Sequence, residues 1–351
     1  MEFKALAGTT GEWLKGTGPE SDIVISTRVR LARNIADFPF LSRATPAQRK
    51  ELEELLGREI KASGALTKAL YYPLEAATPL DLQFLVERHL ISKDLANSSG
   101  ARGVAFGDRE SVSIMVNEED HVRMQVLKSG LQIPGAFEQI NRLDDLLEKR
   151  VDFSFSAQLG YLTVCPTNVG TGLRVSVMMH LPALVITKQI EKVFYAVSKI
   201  NLAVRGLYGE GTQASGNFFQ ISNQITLGKS EEQVLNNLES AIPQIIRYER
   251  SAREALLGQS RVKVEDKVWR AHGLLRSARL ITSDEVMDRL SDLRLGVNMG
   301  IVKDLTIKTI NEIFIQTQPA HLQKMEGKEL SSIQRDAGRA EFIRSKLDGK
   351  A

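Results

Sequence analysis

Arginines recur at positions where a β-strand would expose them together. In the run STRVRLARN, Arg28 and Arg30 alternate with apolar residues and therefore share one strand face. Arg123 in VNEEDHVRMQV and Arg174 in GLRVSVMM stand on polar faces in the same way, and Arg205 begins the glycine-bearing loop RGLYGEG. Because guanidinium groups bind phosphate oxygens through paired hydrogen bonds, these arginines predict a phosphate-binding surface.

Acidic residues and the only cysteine lie close to these arginines in sequence. The acidic run 118–120 precedes Arg123, Glu210 follows Arg205 within the glycine-bearing loop, and Cys165 precedes a loop with two glycines. Carboxylates can hold a cationic group and accept its proton. Taken singly, each feature also fits a plain interpretation: an acidic turn, a glycine turn, or a small buried cysteine. Clustered arginines would also suit a nucleic-acid backbone, but that leaves the acids unexplained and no aromatics interleave.

The elements that must position these residues predict an α+β fold, an antiparallel sheet flanked by helices. After an irregular lead-in over residues 1–20, the patterns predict helices over 45–63, 79–91, 137–149 and near 187–199; strands within 111–127 and near 159–164, 173–181, 201–207 and 217–226; and a long helix from the capping box of Ser230 and Gln233 to about Leu257. Residues after Gly258 are helical throughout. We therefore predict an α+β domain over 1–257 and an all-helical domain over 258–351.

Composition narrows the class of protein. The chain has 351 residues, of which 42% are hydrophobic and 25% charged, as expected for a soluble globular protein. A single cysteine excludes an internal disulfide and favours a reducing cytoplasm. No apolar run approaches the roughly 20 residues that span a bilayer, and no signal peptide is apparent. The net charge of +3 is too small to indicate nucleic-acid binding, so we expect neither a nucleic-acid nor a membrane partner.

Four ordered motifs carry a family resemblance. The runs STRVRLAR, VNEEDHVR, CPTNVGTGLRVSV and RGLYGEG resemble the catalytic domain of the phosphagen (guanidino) kinases, and a Walker A sequence is absent, as in that family. Those kinases carry a helical N-terminal domain where only about 25 residues precede STRVR here. They also lack a counterpart of the helical segment that contains RDAGRA. In both departures the chain is similar to the bacterial protein-arginine kinases, which it resembles along its full length.

The resemblance implies an ATP site built around the five arginines. By match to the family motifs, the nucleotide would be bound by Thr27, Arg28, Val29, Arg30, Leu31, His89, Arg123, Arg174, Val175, Ser176, Val177, Met178, Arg205, Gly206, Leu207, Tyr208 and Gly209. Mg²⁺ would be held mainly by the nucleotide phosphates and water, with no metal ligands from the protein. Phe106 and Met178 stand where phosphagen kinases have histidines. We expect these two replacements to change the surroundings of the base or ribose more than those of the phosphates. His89 could also be an ordinary residue of a helix surface.

The resemblance also implies a guanidinium site. Glu119 and Glu210 match the two carboxylates that hold the substrate guanidinium, and Cys165 matches the cysteine beside it. A protonated guanidinium is not a nucleophile, so a carboxylate must accept a proton as nitrogen attacks the γ-phosphorus. Which glutamate does so stays open. For Cys165 we expect an electrostatic role without a covalent intermediate.

A second site is implied by RDAGRA, which resembles a phosphoarginine-pocket motif. Arg335 and Arg339 are four residues apart and would share a helix face. With Asp336 and Ala340 they would bind the phosphoryl and guanidino parts of a phosphoarginine. The alternative is an exposed helix of ion pairs.

The function implied is an ATP-dependent kinase of arginine side chains on proteins, active in the cytoplasm. Its output would be to mark proteins for a Clp-type protease and to inactivate a heat-shock repressor. Expected partners are protein substrates with exposed arginine, an activator of the McsA type, an unfoldase of the ClpC type and, as a homodimer or higher homo-oligomer, other copies of the chain. The alternatives are a kinase of free arginine and a non-catalytic adaptor that binds phosphoarginine.

Overall fold

An eight-stranded antiparallel sheet forms the frame of the protein. The computed structural model describes residues 4–66, 70–107, 109–206 and 215–349. The sheet has the spatial order β2-β3-β4-β5-β1-β8-β10-β9, and β6 pairs with β7 in a separate hairpin. The strands are β1 (Val24–Arg33), β2 (Leu70–Pro73), β3 (Gly103–Phe106), β4 (Val112–Val116), β5 (Val122–Ser129), β6 (Phe155–Ser156), β7 (Gly160–Tyr161), β8 (Leu173–His180), β9 (Leu202–Gly206) and β10 (Phe218–Asn223).

Helices flank this sheet and make up the C-terminal part of the chain. They are α1 (Lys4–Ala7), α2 (Pro46–Ala62), α3 (Pro79–Glu87), α4 (Lys93–Asn97), α5 (Ile133–Glu148), α6 (Pro182–Ile186), α7 (Ile190–Lys199), α8 (Glu231–Ser277), α9 (Ser283–Asn298), α10 (Ile307–Gln316), α11 (Pro319–Glu326) and α12 (Ser332–Leu347). Short 3₁₀ helices span Glu12–Leu14 and Ser215–Asn217. The predicted α+β class with an antiparallel sheet and a helical C-terminal part is confirmed. Among the described helices, none is both long and apolar enough to span a membrane.

Strand alternation separates a core face from a polar face. In the register of β1 with β8, Val29 lies opposite Val175 and Arg30 opposite Arg174. Both valines are fully buried in the main hydrophobic cluster, which α5 and α8 help to close. A second cluster beneath α3 and α4 covers the β3–β4 end of the sheet. The polar face between these coverings carries the predicted phosphate-binding arginines.

Local signals located most of the elements near the predicted bounds. The helix over 45–63 is α2, and the capping boxes of α2 and α8 are both formed. Other bounds were wrong: α3 stops at Glu87, α5 begins at Ile133, and the strand predicted near 159–164 is the two-residue β7. The long helix does not end near Leu257 but continues to Ser277, because no proline or left-handed residue follows Leu257 within it, and Pro243 lies inside the helix without ending it. The lead-in contains α1 and a 3₁₀ helix that the sequence did not indicate.

The two predicted domains meet along α8. Its only non-helical residue is Ser260 (φ −143°), close to the predicted boundary after residue 257. One buried contact between the two parts joins His180, at the end of β8, to α9: its Nε2 hydrogen-bonds to Ser291 Oγ, 2.9 Å away. The main hydrophobic cluster includes residues of both parts. The division into two domains stays a prediction.

Candidate active site

The sheet brings the five predicted arginines to one face. Neighbouring strands β5, β1 and β8 carry Arg123, Arg28 with Arg30, and Arg174, and β9 adds Arg205 opposite Gln220 of β10. A cleft of about 210 Å³ lies over this face. Its walls include four of the arginines; the other lining residues are Leu31, Ala32, Asp94, Glu119, Cys165, Thr167, Asn168 and Gly172. The structure thus groups residues that lie far apart in the sequence.

The arginines repel one another in a partly dehydrated setting. Burial, and then the charges of Arg174, Arg123 and Arg205, lower the pKa of Arg28 to about 10. The pKa of Arg30 is held well below its usual value by burial and by Arg28, Arg123 and Arg174 in turn. The Nε atom of Arg30 is buried without a hydrogen-bond partner among the described residues. Such a cluster is stabilised when an anion with several oxygens lies between its members.

A smaller pocket adjoins the arginine face on the side away from Cys165. It is lined by Ser26, Arg28, His89, Leu127, Ser176, Met178 and Gln220. Arg28 Nη2 donates to Gln220 Oε1 at 2.8 Å, which fixes one edge of the guanidinium. His89 has a left-handed backbone (φ 59°), and burial followed by the charges of Arg28 and Lys93 lowers its pKa to about 3. It therefore faces this pocket as a neutral ring, and it is not a residue of an ordinary helix surface.

The acidic turn forms the opposite wall of the cleft. Arg123 donates from Nη1 to Glu118 Oε1 at 2.5 Å and from Nη2 to Glu119 Oε2 at 2.9 Å. The side chain of Glu118 is fully buried and also accepts from Ser92 Oγ, whereas that of Glu119 is 39% exposed. Burial, opposed by Arg123 and reinforced by Asp120 and Glu118, raises the pKa of Glu119. A carboxylate with a raised pKa is a better proton acceptor at neutral pH.

Cys165 lies in a loop that hydrogen bonds hold against the cleft. Its Sγ is 3.0 Å from Thr167 Oγ1, and its carbonyl accepts from Thr163 Oγ1. Thr226, after β10, donates to the carbonyls of Thr167 and Val169. The thiol is half-buried and shares the cleft with Glu119. The structure therefore places Cys165 beside a predicted guanidinium-binding carboxylate.

One positioning residue was missed by the sequence reasoning, which treated Asp120 only as part of an acidic turn. The fully buried Asp120 accepts through Oδ1 from Asn34 Nδ2 at 2.7 Å and from the Val164 amide at 2.8 Å. Val164 immediately precedes Cys165, and Asn34 follows β1. Asp120 thus links the Glu119 turn, the Cys165 loop and the arginine strand. The only signal in the sequence is its place next to Glu119.

Replacing Asp120 with alanine should destabilise the protein. The Val164 amide and one of the two N–H groups of the Asn34 side chain would lose their acceptor, which costs about 1–3 kcal/mol. Urea unfolding should show a lower midpoint with an unchanged slope. Asp37→Ala, at an exposed position of the same loop region, is the matched control and should leave the midpoint unchanged. Equal midpoints for the two variants would contradict the linking role.

Several predicted site residues have other positions or lie outside the described part of the chain. Glu210 and residues Leu207, Tyr208 and Gly209 fall between residues 206 and 215 and are not described. Val29, Val175 and Val177 point into the main core, and Thr27 Oγ1 donates to the Gly130 carbonyl. Ser176 Oγ lies 3.4 Å from the Arg28 carbonyl, and Gly206 pairs with Phe219. The nucleotide role of these residues stays a prediction.

Comparison with known proteins decides the family. The family described as ATP:guanido phosphotransferase, C-terminal catalytic domain, matches residues 51–252, and the family described as Protein-arginine kinase McsB C-terminal domain matches residues 261–351. A protein-arginine kinase of Symbiobacterium thermophilum is 50% identical over 95% of this chain and 96% of the relative. One from Halothermothrix orenii is 47% identical over 96% of each chain. The chain belongs to the protein-arginine kinase family.

Solved phosphagen-type kinases share the fold of this protein-arginine kinase. A duplicated taurocyamine kinase from Schistosoma mansoni, with bound transition state analog components, superposes with a TM-score of 0.61 at 27% identity, over 69% of this chain and 34% of that one. A lombricine kinase gives a TM-score of 0.59 at 27% identity over 71% of both chains. The predicted resemblance and the predicted kinase class are confirmed.

The RDAGRA segment of this protein-arginine kinase lies in α12. Arg339 is buried, and it donates to the carbonyls of Thr317 and Ile281 and to Asp336 Oδ1 at 2.6 Å. Arg335 is half-buried and donates to the Leu330 carbonyl. The alternative of an exposed ion-pair helix is therefore wrong for Arg339, although Arg335 and Asp336 remain accessible in part. Ala340 is fully buried beside them, and the phosphoarginine role of the four residues stays a prediction.

Proposed function

We propose that this protein transfers the γ-phosphoryl group of ATP to the guanidinium groups of arginine side chains in proteins. The observation that carries the proposal is the cleft in which arginines from β1, β5, β8 and β9 face Glu119 and Cys165. The part of the cleft with the arginines suits the polyphosphate of a nucleotide, and the part with Glu119 and Cys165 suits a cation. Phosphoryl transfer needs mainly positioning and charge stabilisation, which such a cleft can provide.

The arginines would hold the nucleotide, and their charges would be matched by its phosphates. Arg30, Arg123 and Arg174 lie on adjacent strands, so their guanidinium groups can contact different oxygens of one polyphosphate. The pocket at His89, Gln220 and Met178 adjoins Arg28 and would receive the nucleoside end. The phosphoryl group to be transferred would then point toward Glu119 and Cys165.

The acceptor guanidinium would be held at the acidic wall. Glu119 would orient one nitrogen and accept a proton as that nitrogen forms its bond to the γ-phosphorus and ADP leaves. Cys165 would contribute negative charge beside the cation. By the family resemblance, Glu210 would be the second carboxylate that holds the guanidinium. The raised pKa of Glu119 supports its assignment as the base.

Mg²⁺ would accompany the nucleotide. No group of three or more His, Cys, Asp or Glu side chains is arranged to hold a metal ion within residues 4–66, 70–107, 109–206 and 215–349. We therefore propose that the metal binds mainly through phosphate oxygens and water, where it would neutralise part of the developing charge.

A protein acceptor is favoured by the exposure of the acceptor side. Glu119 is 39% exposed, and Pro166 and Thr167, next to Cys165, are exposed. An arginine on a polypeptide surface can therefore approach this wall from solvent. The same observation disfavours a closed site for free arginine.

Incubation with ATP, Mg²⁺ and either a folded arginine-rich protein or free arginine tests the proposal. We expect acid-labile phosphate on the protein and little on free arginine. The reverse result would indicate a kinase of free arginine. Binding of phosphoarginine without any transfer would indicate an adaptor, and either outcome would overturn the proposed function.

The proposed phosphoarginine site in α12 yields a separate prediction. Replacing both Arg335 and Asp336 with alanine should reduce phosphoarginine binding by the full-length protein at least tenfold, because the charge-assisted contacts are worth about 1.5–3 kcal/mol each. ATP binding should not change, since the arginines of the cleft lie on strands of the sheet and not on α12. Calorimetry with free phosphoarginine and with ATP measures both affinities. Unchanged phosphoarginine affinity would remove these residues from any such site.

The cellular role follows from the family resemblance. We propose that the phosphorylated proteins are delivered to a Clp-type protease through a ClpC-type unfoldase and that a heat-shock repressor is among the substrates. An McsA-type activator, a homo-oligomeric state and a cytoplasmic location belong to the same proposal. Pull-down of an McsA-type or ClpC-type protein by this chain, with the Arg335/Asp336 double variant as comparison, would test the partners.

A further inference from the structure

A buried charge network joins the helical C-terminal part to the residue that precedes His89. Arg88, 2% exposed, forms two hydrogen bonds to Glu110, from Nε to Oε2 and from Nη2 to Oε1, each 2.7 Å long. Its Nη1 donates to the carbonyls of Leu6 and Thr9 and lies 3.2 Å from His321 Nε2. The guanidinium is thus fixed on several sides, and one of its contacts is a residue of α11.

Glu87, the residue before Arg88, makes a second contact with α11. Its carboxylate accepts from the Ala320 and His321 amides at 2.9 and 3.0 Å and from His321 Nδ1 at 2.8 Å. These amides belong to the first turn of α11, whose N-cap residue Gln318 makes no side-chain capping hydrogen bond to that turn. A carboxylate from α3 therefore caps a helix of the C-terminal part, where it also meets the positive end of the helix dipole.

The two contacts of His321 fix its protonation state. The Glu87 carboxylate accepts from His321 Nδ1, so Nδ1 carries the ring proton, and Nε2 of the neutral ring faces Arg88 Nη1 as an acceptor. Burial lowers the pKa of His321, opposed by Glu87, which is consistent with a neutral ring. His321 is fully buried, so the network Glu87–His321–Arg88–Glu110 has little freedom to rearrange.

His89 needs such support because its backbone is strained. It follows the C-cap residue Arg88 with φ 59°, a conformation at helix ends that usually calls for glycine. Its carbonyl accepts from Gln125 Nε2, and its ring stands edge-on to Trp13 with centroids 4.6 Å apart. Trp13 in turn contacts Phe314 of α10. Residues of the C-terminal part thus support His89 from both the backbone side and the ring side.

We propose that Glu87 and His321 are positioning residues for the nucleotide pocket, through which the helical C-terminal part holds His89 against the bound nucleotide. The inference rests on the proposed function, because it takes the pocket at His89 as the nucleoside site. Neither residue lines that pocket, so both act through the backbone of Arg88 and His89. The helical part is therefore a structural component of ATP binding as well as the bearer of the RDAGRA segment.

Three variants of the full-length protein test this assignment. Glu87→Gln places an amide donor against the α11 amides, His321→Leu removes both contacts of the ring, and His321→Asn restores a donor near the Nδ1 position. The control is Lys324→Met, which breaks the 2.6 Å ion pair of Lys324 with Asp81 between the same two helices but does not touch residues 87–89. ATP affinity is measured by calorimetry and compared with KM for ATP, kcat and the thermal midpoint.

We expect Glu87→Gln and His321→Leu to weaken ATP binding and to raise KM for ATP about threefold to thirtyfold, the range for mutations within a coupling network. The value of kcat at saturating ATP should change less, and His321→Asn should recover part of the affinity. The control should lower the thermal midpoint without changing ATP affinity. Equal ATP affinities for the control and the two network variants would overturn the inference, whereas a wild-type protein that does not bind ATP would overturn the proposed function itself.

Discussion

Glu119→Gln should reduce phosphoryl transfer to a protein substrate by about 10²–10⁴-fold in kcat, the usual contribution of a positioned general base. The amide keeps the size of the side chain and can still accept from Arg123, but it cannot take a proton from the guanidinium. ATP affinity should change much less than kcat, because Arg123 keeps its ion pair with Glu118. Single-turnover assays with labelled ATP, together with calorimetry, would separate these effects.

The pH dependence offers a second test of the same residue. Glu119 is active when ionised, and burial raises its pKa, so activity should fall on acidification at a higher pH than for an ordinary glutamate, whose pKa is about 4.3. The residual activity of Glu119→Gln should not show this fall on acidification. Glu51→Gln, at an exposed position on α2, should show the wild-type profile. Wild-type turnover in Glu119→Gln would transfer the role of base to another group.

Arg174→Lys should lower kcat by about 10²–10³-fold, as when one preorganised donor to a developing charge is removed. Lysine keeps the charge but cannot offer two parallel hydrogen bonds to a phosphoryl group. The fold should survive, since Arg174 lies on the polar face of β8, opposite Arg30, whereas its neighbours Leu173 and Val175 belong to the main core. Far-ultraviolet circular dichroism and the thermal midpoint check the fold, and the transfer assay checks kcat.

A conservative change elsewhere separates this effect from a general effect of lysine. Arg58 on α2 is 68% exposed and forms a surface ion pair with its neighbour Glu59, so Arg58→Lys should leave both stability and turnover unchanged. If Arg174→Lys kept the same kcat as Arg58→Lys, Arg174 would not be one of the arginines that bind the phosphoryl group.

Strand periodicity located the arginine face, because a period of two determines which side chains share a face before any partner strand is known. The alternation around Arg28 and Arg30 therefore placed both on the polar side, as the structure shows. Capping chemistry was equally local, so the starts of α2 and α8 were correct. Short strands gave no comparable signal, and β2 and β3 were missed because four residues carry too little pattern.

The contacts between residues that lie far apart in the sequence were decided by the tertiary structure. The sequence determined the residue types of the cleft, their strand faces and, through ordered motifs, the kinase family. Pairing of β1 with both β5 and β8 brought three arginine-bearing strands together, and long-range hydrogen bonds made Asp120 a link between two loops. Helix spacing placed Arg335 and Arg339 on one face, but packing buried Arg339 against two carbonyls. The contact of Glu87 with α11 had no local signal at all, because side-chain partners that are separated by more than 200 residues are chosen only when the elements that carry them pack.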